Sequence, residues 1–175
     1  MLNPLYPSDC PAVNGGGTYV MLCSPRVGRP VSGILRSSRP LGVFTHWFDG
    51  RTHPCLGEAP DCIGCGQRTP KRWKCYVMGY LDGTRRPVLF EIPADAYRAS
   101  VQLSDPGVSL RGARIRLERQ GPNANSPVRV VLGLDVCPHG LPDGEPDVLR
   151  HLCRIWGCAH PHDEVIKTEG GSADA

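Results

Sequence analysis

Glycine and proline interrupt this sequence so often that a bundle of long helices is not expected. There are 21 Gly and 18 Pro among 175 residues, close to double the usual share, and they follow no collagen-like period. Because both residues weaken helix interiors and favour turns, the chain must consist of short elements joined by many turns. We therefore predict a mainly β domain of ordinary size.

Runs of apolar and β-branched residues between these turns predict seven strands and two short helices. The clearest alternation places Ile115 and Leu117 on one face of a strand and Arg114 and Arg116 on the other. The helix at 145–157 has apolar residues at helical spacing. The other helix is predicted at 93–103, and the strands at 18–23, 31–36, 41–48, 74–81, 86–92, 113–119 and 128–134.

The motif with the most specific chemistry is a Cys-x-x-Cys-Gly sequence at Cys62 and Cys65, with Cys55 seven residues upstream. Three thiolates and one imidazole form the closed tetrahedral set that is typical of structural Zn²⁺. His46 is the favoured fourth ligand, followed by His53 and then Cys75. The segment 51–70 has few apolar residues, so a metal would replace the core that it lacks. Four unrelated buried thiols are the simpler alternative.

Other roles for the cysteines and histidines have weaker support. A zinc deaminase needs a Glu two residues after its His ligand, and neither His46 nor His53 has one. No βαβ pattern accompanies Cys62 and Cys65, which argues against a redox pair of the thioredoxin type. Cys153 lies on the apolar side of its helix, so a second metal site is a minor alternative for the group Cys137, His139, His151, Cys153, Cys158, His160 and His162.

The charge is distributed unevenly along the chain. The net charge is only +3, but residues 26–86 carry +7 and residues 135–175 carry −5. A basic body followed by an acidic end indicates a polyanionic partner for the body and a protein partner for the end.

Cations and aromatic residues alternate directly after the cysteine motif. A surface that binds single-stranded nucleic acid combines aromatic and basic side chains, because bases stack on aromatic rings while Lys and Arg neutralise phosphates. The alternative is that the aromatic residues line the core and the cations only solvate the surface. The candidate nucleic-acid-binding residues are Arg51, Lys71, Arg72, Trp73, Lys74, Tyr76, Tyr80, Arg114 and Arg116.

Residues 40–135 resemble the helix-destabilising single-stranded-DNA-binding proteins of T-even phages in the order of their features. The resemblance implies an OB-like antiparallel barrel with an inserted zinc ribbon. It places the metal at His46, Cys55, Cys62 and Cys65, and DNA contacts among Lys71, Arg72, Trp73, Tyr76 and Arg116. The spacings between ligands are shorter here, and residues 1–17 show no basic arm.

The expected organisation has four parts. A flexible lead-in at 1–17 precedes an OB-like domain at 18–134 whose zinc ribbon spans 46–75, and a helical segment at 135–160 precedes an acidic, disordered tail at 161–175. No apolar run of 18 residues predicts a membrane span, and the N-terminus lacks the pattern of a secretory signal. Nine cysteines then favour reduced thiols in a cytoplasmic, nucleoid-associated protein.

Two functions follow from the sequence. The first is a non-enzymatic, phage-like single-stranded-DNA-binding protein with one structural Zn²⁺. The second is a zinc-ribbon adaptor whose ribbon and helix at 145–157 dock a larger nucleic-acid-processing or RNA-guided enzyme.

Overall fold

A computed structural model of the protein describes residues 20–57, 62–84, 86–133 and 140–158. The expected lead-in at 1–17 and tail at 161–175 lie outside these residues. No helix in the described ranges is long and apolar enough to cross a membrane. The elements are β1 (Met21–Cys23), β2 (Val31–Leu35), β3 (Leu41–Phe48), β4 (Arg51–Pro54), α1 (Ile63–Gly66), β5 (Arg72–Leu81), β6 (Pro87–Pro93), α2 (Ala94–Ala99), α3 (Val101–Ser104), β7 (Arg114–Arg119), β8 (Val128–Gly133) and α4 (Val148–Trp156).

Strand β5 is the centre of the sheet, because it pairs with three other strands. It is antiparallel to β6 from Lys74 to Tyr80, to β3 from Arg72 to Tyr76, and to β2 from Gly79 to Leu81. Antiparallel pairs continue from β2 to β7 and β8, and from β3 to β4. The short β1 pairs with β6 in parallel. The sheet therefore follows the order β1-β6-β5-β2-β7-β8, with β3 and β4 as a branch from β5.

The mainly β character expected from the sequence is confirmed. The described strands form a mixed sheet whose ends, β1 and β8, are not paired with each other, so they do not form a closed antiparallel barrel. Two elements, β4 and α1, were not predicted. Four helical segments replace the two expected helices, because Ser100 is extended (φ −107°, ψ 103°) and divides α2 from α3, and because α1 forms at the cysteine motif.

Both faces of the β5–β6 hairpin are buried, and each face belongs to a different apolar cluster. On the inner face, Cys75, Val77 and Phe90 pack with residues of α2, α3 and β7. On the outer face, Tyr76 and Met78 pack beneath α4. Since successive residues of a strand point to opposite faces, the almost continuous apolar run of β5 fills both clusters.

Helix α4 is fixed to the sheet at its N-terminal end. The Asp147 carboxylate accepts the backbone N–H of Arg150, an N-cap that satisfies a free helical donor. Upstream of the helix, the Arg111 guanidinium donates to the carbonyl oxygens of Arg36, Pro142 and Gly144. These contacts hold the segment before α4 against the ends of β2 and β7.

Candidate metal centre

The four residues favoured by the sequence as metal ligands converge in the structure. The ligand atoms of His46, Cys55, Cys62 and Cys65 all lie within 4.8 Å of one another. The Cys65 Sγ atom is 3.7 Å from Cys55 Sγ and 3.5 Å from His46 Nε2. This arrangement is compatible with one bound metal ion.

Short hydrogen-bonded segments bring these ligands together. His46 is buried in β3, and Cys55 follows β4 with its N–H bonded to the carbonyl of Phe44 at 2.8 Å. Cys62 is the N-cap of α1 and Cys65 lies within this helix, where the N–H of Gly66 donates to the Cys62 carbonyl at 2.9 Å. We refer to residues 55–57 and 62–69 as the knuckle.

Hydrogen bonding fixes the orientation of the histidine ring. The Nδ1 atom of His46 lies 2.9 Å from the carbonyl oxygen of Thr69. A carbonyl oxygen can only accept, so Nδ1 carries the proton and Nε2 presents its lone pair towards Cys65. Metal-binding histidines in proteins are usually oriented in this way, by a hydrogen bond from the ring nitrogen that does not bind the metal.

The thiols have strongly perturbed acidities. Burial raises the pKa of Cys62, but hydrogen bonds from the backbone N–H groups of Cys65 and Leu56, with further bonds from neighbouring thiols, outweigh it and lower the pKa to about 6. Burial and hydrogen bonding with Cys55 and Cys62 raise the pKa of Cys65 to about 11. These shifts favour a thiolate at Cys62 beside a Cys65 thiol that keeps its proton, and a bound metal ion would displace that proton.

The two alternative ligands lie outside this cluster. His53 faces His46 across the β3–β4 pair, but its ring stacks on Phe48 with centroids 3.8 Å apart. Its Nε2 accepts from Arg51 Nε at 3.3 Å, and burial together with the Arg51 charge lowers its pKa. Cys75 is buried in the inner cluster, where burial raises its pKa to about 12.

Among the described residues, no second metal-binding group forms. Cys153 is buried on the packed side of α4, as expected for a core residue. His151 and Cys158 are half-buried and do not form such a group with it. The remaining members, Cys137, His139, His160 and His162, lie outside the described residues.

Three of the predicted nucleic-acid-binding residues are exposed on segments that adjoin the knuckle in the chain. Arg51 begins β4, and Arg72 begins β5 opposite Thr45. The Lys71 ammonium donates to the carbonyl of Gly57 at 3.3 Å.

Three others contribute to packing. Trp73 is half-buried and lies over Gly42, 4.8 Å from the ring of Tyr97. Lys74 forms an ion pair with Glu91 at 3.0 Å. Tyr76 has no exposed surface, because α4 covers it, and its hydroxyl donates to Glu91 at 3.3 Å. The prediction that Tyr76 stacks on bases therefore does not agree with this structure, and we leave it out of the interface.

The last three share the outer face of the sheet, away from the knuckle. Tyr80 is half-buried and pairs with Ile34, which in turn pairs with Arg114. Arg114 forms an exposed ion pair with Asp82 at 2.8 Å. Arg116 is 3.9 Å from Glu118.

Sequence reasoning missed two aromatic side chains at the surface. Phe44 is 54% exposed and Trp47 is 52% exposed, and neither was among the predicted binding residues of their strand. Because they are three residues apart in β3, they lie on opposite faces, with Phe44 on the face of His46. The only available signal was the position of the metal-ligand motif, which marks where this strand leaves the core.

Comparison with models of protein families, with curated proteins and with solved structures finds no match to this chain. Its function must therefore be argued from its own residues.

Proposed function

We propose that this protein is a non-enzymatic single-stranded-nucleic-acid-binding protein, with DNA as its first ligand and a structural Zn²⁺ in the knuckle. The observation that carries the proposal is the exposed ring of Phe44, which lies on the same face of the β3–β4 pair as the metal centre. This surface, which comprises Phe44, Phe48, Arg51, His53 and the knuckle, is called the knuckle face.

Zinc is the metal that best suits the ligand set. Three cysteine sulfurs and one imidazole nitrogen are soft and borderline ligands in a number that fits a tetrahedral ion. The knuckle also needs an ion for its stability, because Leu56 and Ile63 are 61% and 65% exposed and contribute little to a core. Four protein ligands leave no open position for water, which supports a structural role over a catalytic one.

The knuckle face combines stacking surface with positive charge. Phe44 is directly opposite Trp73 in the β3–β5 register, so a base stacked on Phe44 would also lie near the indole. Arg51 lies opposite Phe48 at the far end of the same face, and Arg68 is exposed within the knuckle. Bases on Phe44 and phosphates on these guanidinium groups would give binding with little sequence preference and a strong salt dependence.

The order of the strands also supports this function. Five neighbouring strands of the sheet follow the order β6-β5-β2-β7-β8. Along the chain, α2 and α3 connect β6 to β7, which are the third and fourth of these five strands. We propose that they form an OB-like arrangement left open because β1 occupies the edge of β6. OB folds bind oligonucleotides at the loop between their first two strands, and here that position contains β3, β4 and the knuckle.

Fluorescence anisotropy with a labelled oligonucleotide tests the proposal, with Phe44→Ala compared with Trp47→Ala. The two rings are exposed to the same extent on opposite faces of β3, so Trp47→Ala is a matched control. We expect Phe44→Ala to weaken binding about tenfold or more and Trp47→Ala to leave it nearly unchanged, since one stacked base contributes about 1–3 kcal/mol.

Two results would overturn the proposal in different ways. Equal losses in the two variants would reject the knuckle face as the binding surface. Nucleic-acid binding itself would be rejected if the wild-type protein bound neither DNA nor RNA at low salt, whether single-stranded or double-stranded.

The adaptor function is the second candidate, and the exposed Leu56 and Ile63 favour it. Both side chains adjoin metal ligands, and a protein partner could cover them. Helix α4 is less suited to docking, because its apolar residues already pack on the outer cluster.

A further inference from the structure

The carbonyl oxygen of Gly57 lies at the centre of three contacts in the knuckle. It is 3.2 Å from Cys65 Sγ and 3.3 Å from Cys55 Sγ. The third contact is the Lys71 ammonium, also at 3.3 Å. One oxygen atom thus connects a lysine from the start of β5 to two of the four candidate ligands.

Metal binding changes which of these groups can donate a hydrogen bond. Cysteine binds a metal as the thiolate, so neither sulfur can then donate to Gly57. The partial negative charge of the carbonyl would lie beside two anionic sulfurs. Of the three groups, only the Lys71 ammonium can still donate to this oxygen, and its charge opposes that of the sulfurs.

We propose that Lys71 is a positioning residue of the metal centre, whose positive charge holds the Gly57 carbonyl beside the thiolates and offsets their charge. A divalent ion with three thiolates and a neutral imidazole has one net negative charge, which a nearby cation stabilises. The inference rests on the metal centre of the proposed function and is independent of nucleic-acid binding. It gives Lys71 a different role from the phosphate contact predicted from the sequence.

Neighbouring cations do not have this position. Arg51 shares the face of His46, but it lies opposite Phe48 at the far end of the β3–β4 pair and donates to His53. Arg72 starts β5 on the face of Thr45, opposite to that of His46. Lys71, in contrast, contacts the carbonyl oxygen of Gly57 with its charged atom.

Three variants separate charge from hydrogen bonding. Lys71→Gln keeps a neutral donor and removes the charge, whereas Lys71→Arg keeps both. Arg129→Gln, on the exposed face of β8, removes one positive charge from a residue far from the knuckle in the sheet order and is the control for overall charge. The zinc affinity of each full-length protein is measured by competition with a chromophoric chelator. Co²⁺ spectra report whether the thiolate ligand set is unchanged.

We expect Lys71→Gln to bind zinc about tenfold more weakly, as is usual when an outer partner of a metal ligand is removed. Lys71→Arg and Arg129→Gln should retain the wild-type affinity, and added salt should reduce the difference between Lys71→Gln and wild type. The Co²⁺ spectrum of each variant should remain that of a tetrahedral thiolate site.

Wild-type affinity in Lys71→Gln would overturn the inference, as would an equal loss in Arg129→Gln. If zinc affinity fell in both Lys71→Gln and Lys71→Arg and the loss did not depend on salt, only the shape of the lysine side chain would matter. That result would also reject the inference. Failure of the wild-type protein to bind zinc or cobalt would reject the zinc proposal together with this inference, so the two failures are distinguishable.

Discussion

Gly64 lies directly against the imidazole ring of His46. A Cβ atom added to Gly64 would be 2.4 Å from Cγ and 2.6 Å from Cδ2 of that ring. No real side chain fits at such a distance, so the close contact between α1 and β3 requires glycine at this position. The same contact places Cys62 and Cys65 beside the histidine that completes their ligand set.

We expect Gly64→Ala to disrupt the metal centre. The added methyl group must displace His46 or α1, which should lower the zinc affinity at least tenfold and destabilise the fold by about 1–3 kcal/mol. Chelator competition and urea unfolding measure the two effects. Gly66→Ala is the matched control, because a Cβ atom at Gly66 meets nothing within 4 Å. Equal metal affinity in the two variants would contradict the packing described here.

The Tyr76 ring should stabilise the fold without contributing to nucleic-acid binding. In Tyr76→Leu the hydrogen bond to Glu91 and the edge contact with Trp156, at 5.8 Å between centroids, are lost while apolar bulk remains. We expect the free energy of unfolding to fall by about 2 kcal/mol. Urea unfolding measures this change, and anisotropy at low urea measures the oligonucleotide affinity of the folded protein. A tenfold loss of affinity with unchanged stability would restore Tyr76 to the interface.

The sequence predicted which four candidate ligands converge, because most of the motif is local in the chain. Cys62 and Cys65 are three residues apart and Cys55 lies seven residues upstream, but the sequence left the fourth ligand open among His46, His53 and Cys75. The structure selects His46 over His53 by the hydrogen bond to Thr69 and by the stacking of His53 on Phe48. Neither contact follows from spacing.

The surface was harder to predict, because burial of a strand depends on elements far away in the chain. Tyr76 belongs to one set of alternate residues in β5, and that set could face either solvent or a second layer. Helix α4, about 70 residues later, decides this by covering the outer face. The continuous apolar run in β5 was a usable signal, since strands buried on both faces lack alternation. Phe44 was missed because nothing local reveals that its strand extends beyond the core.

The Cys75 thiol should make the protein sensitive to alkaline pH. Burial raises its pKa from 9.0 to about 12, so the folded protein holds this proton more tightly than the unfolded chain does. The resulting stabilisation is complete below pH 9 and is lost as the pH rises towards 12. By about pH 10.5 the loss should reach about 2 kcal/mol.

Comparison with Cys75→Val isolates this effect, because valine has a similar size and does not ionise. Urea unfolding at a series of pH values between 7 and 11 should give a steeper decline for the wild type than for the variant. Parallel curves would show that the thiol reaches solvent in the folded state. Every other ionisable side chain is common to the two proteins, so the difference between their curves isolates Cys75.

Arg111 should control how firmly α4 is held on the sheet. Its planar guanidinium reaches the carbonyl oxygens of Arg36 and Gly144, each at 3.1 Å, and that of Pro142. Lysine keeps the charge, but its ammonium group lacks the planar array of N–H donors that binds these three carbonyl oxygens. We expect Arg111→Lys to lower the free energy of unfolding by about 1–2 kcal/mol and to speed hydrogen exchange in α4.

Arg114→Lys is the control for this prediction, because it makes the same substitution three residues later. Arg114 pairs with Asp82 at the surface, where both side chains are largely exposed, so its replacement should cost less than about 1 kcal/mol and leave exchange in α4 unchanged. Equal behaviour of the two variants would mean that the apolar contacts of Leu152 and Val148 alone hold the helix. Faster exchange in Arg111→Lys alone would identify the guanidinium as the link between α4 and the ends of β2 and β7.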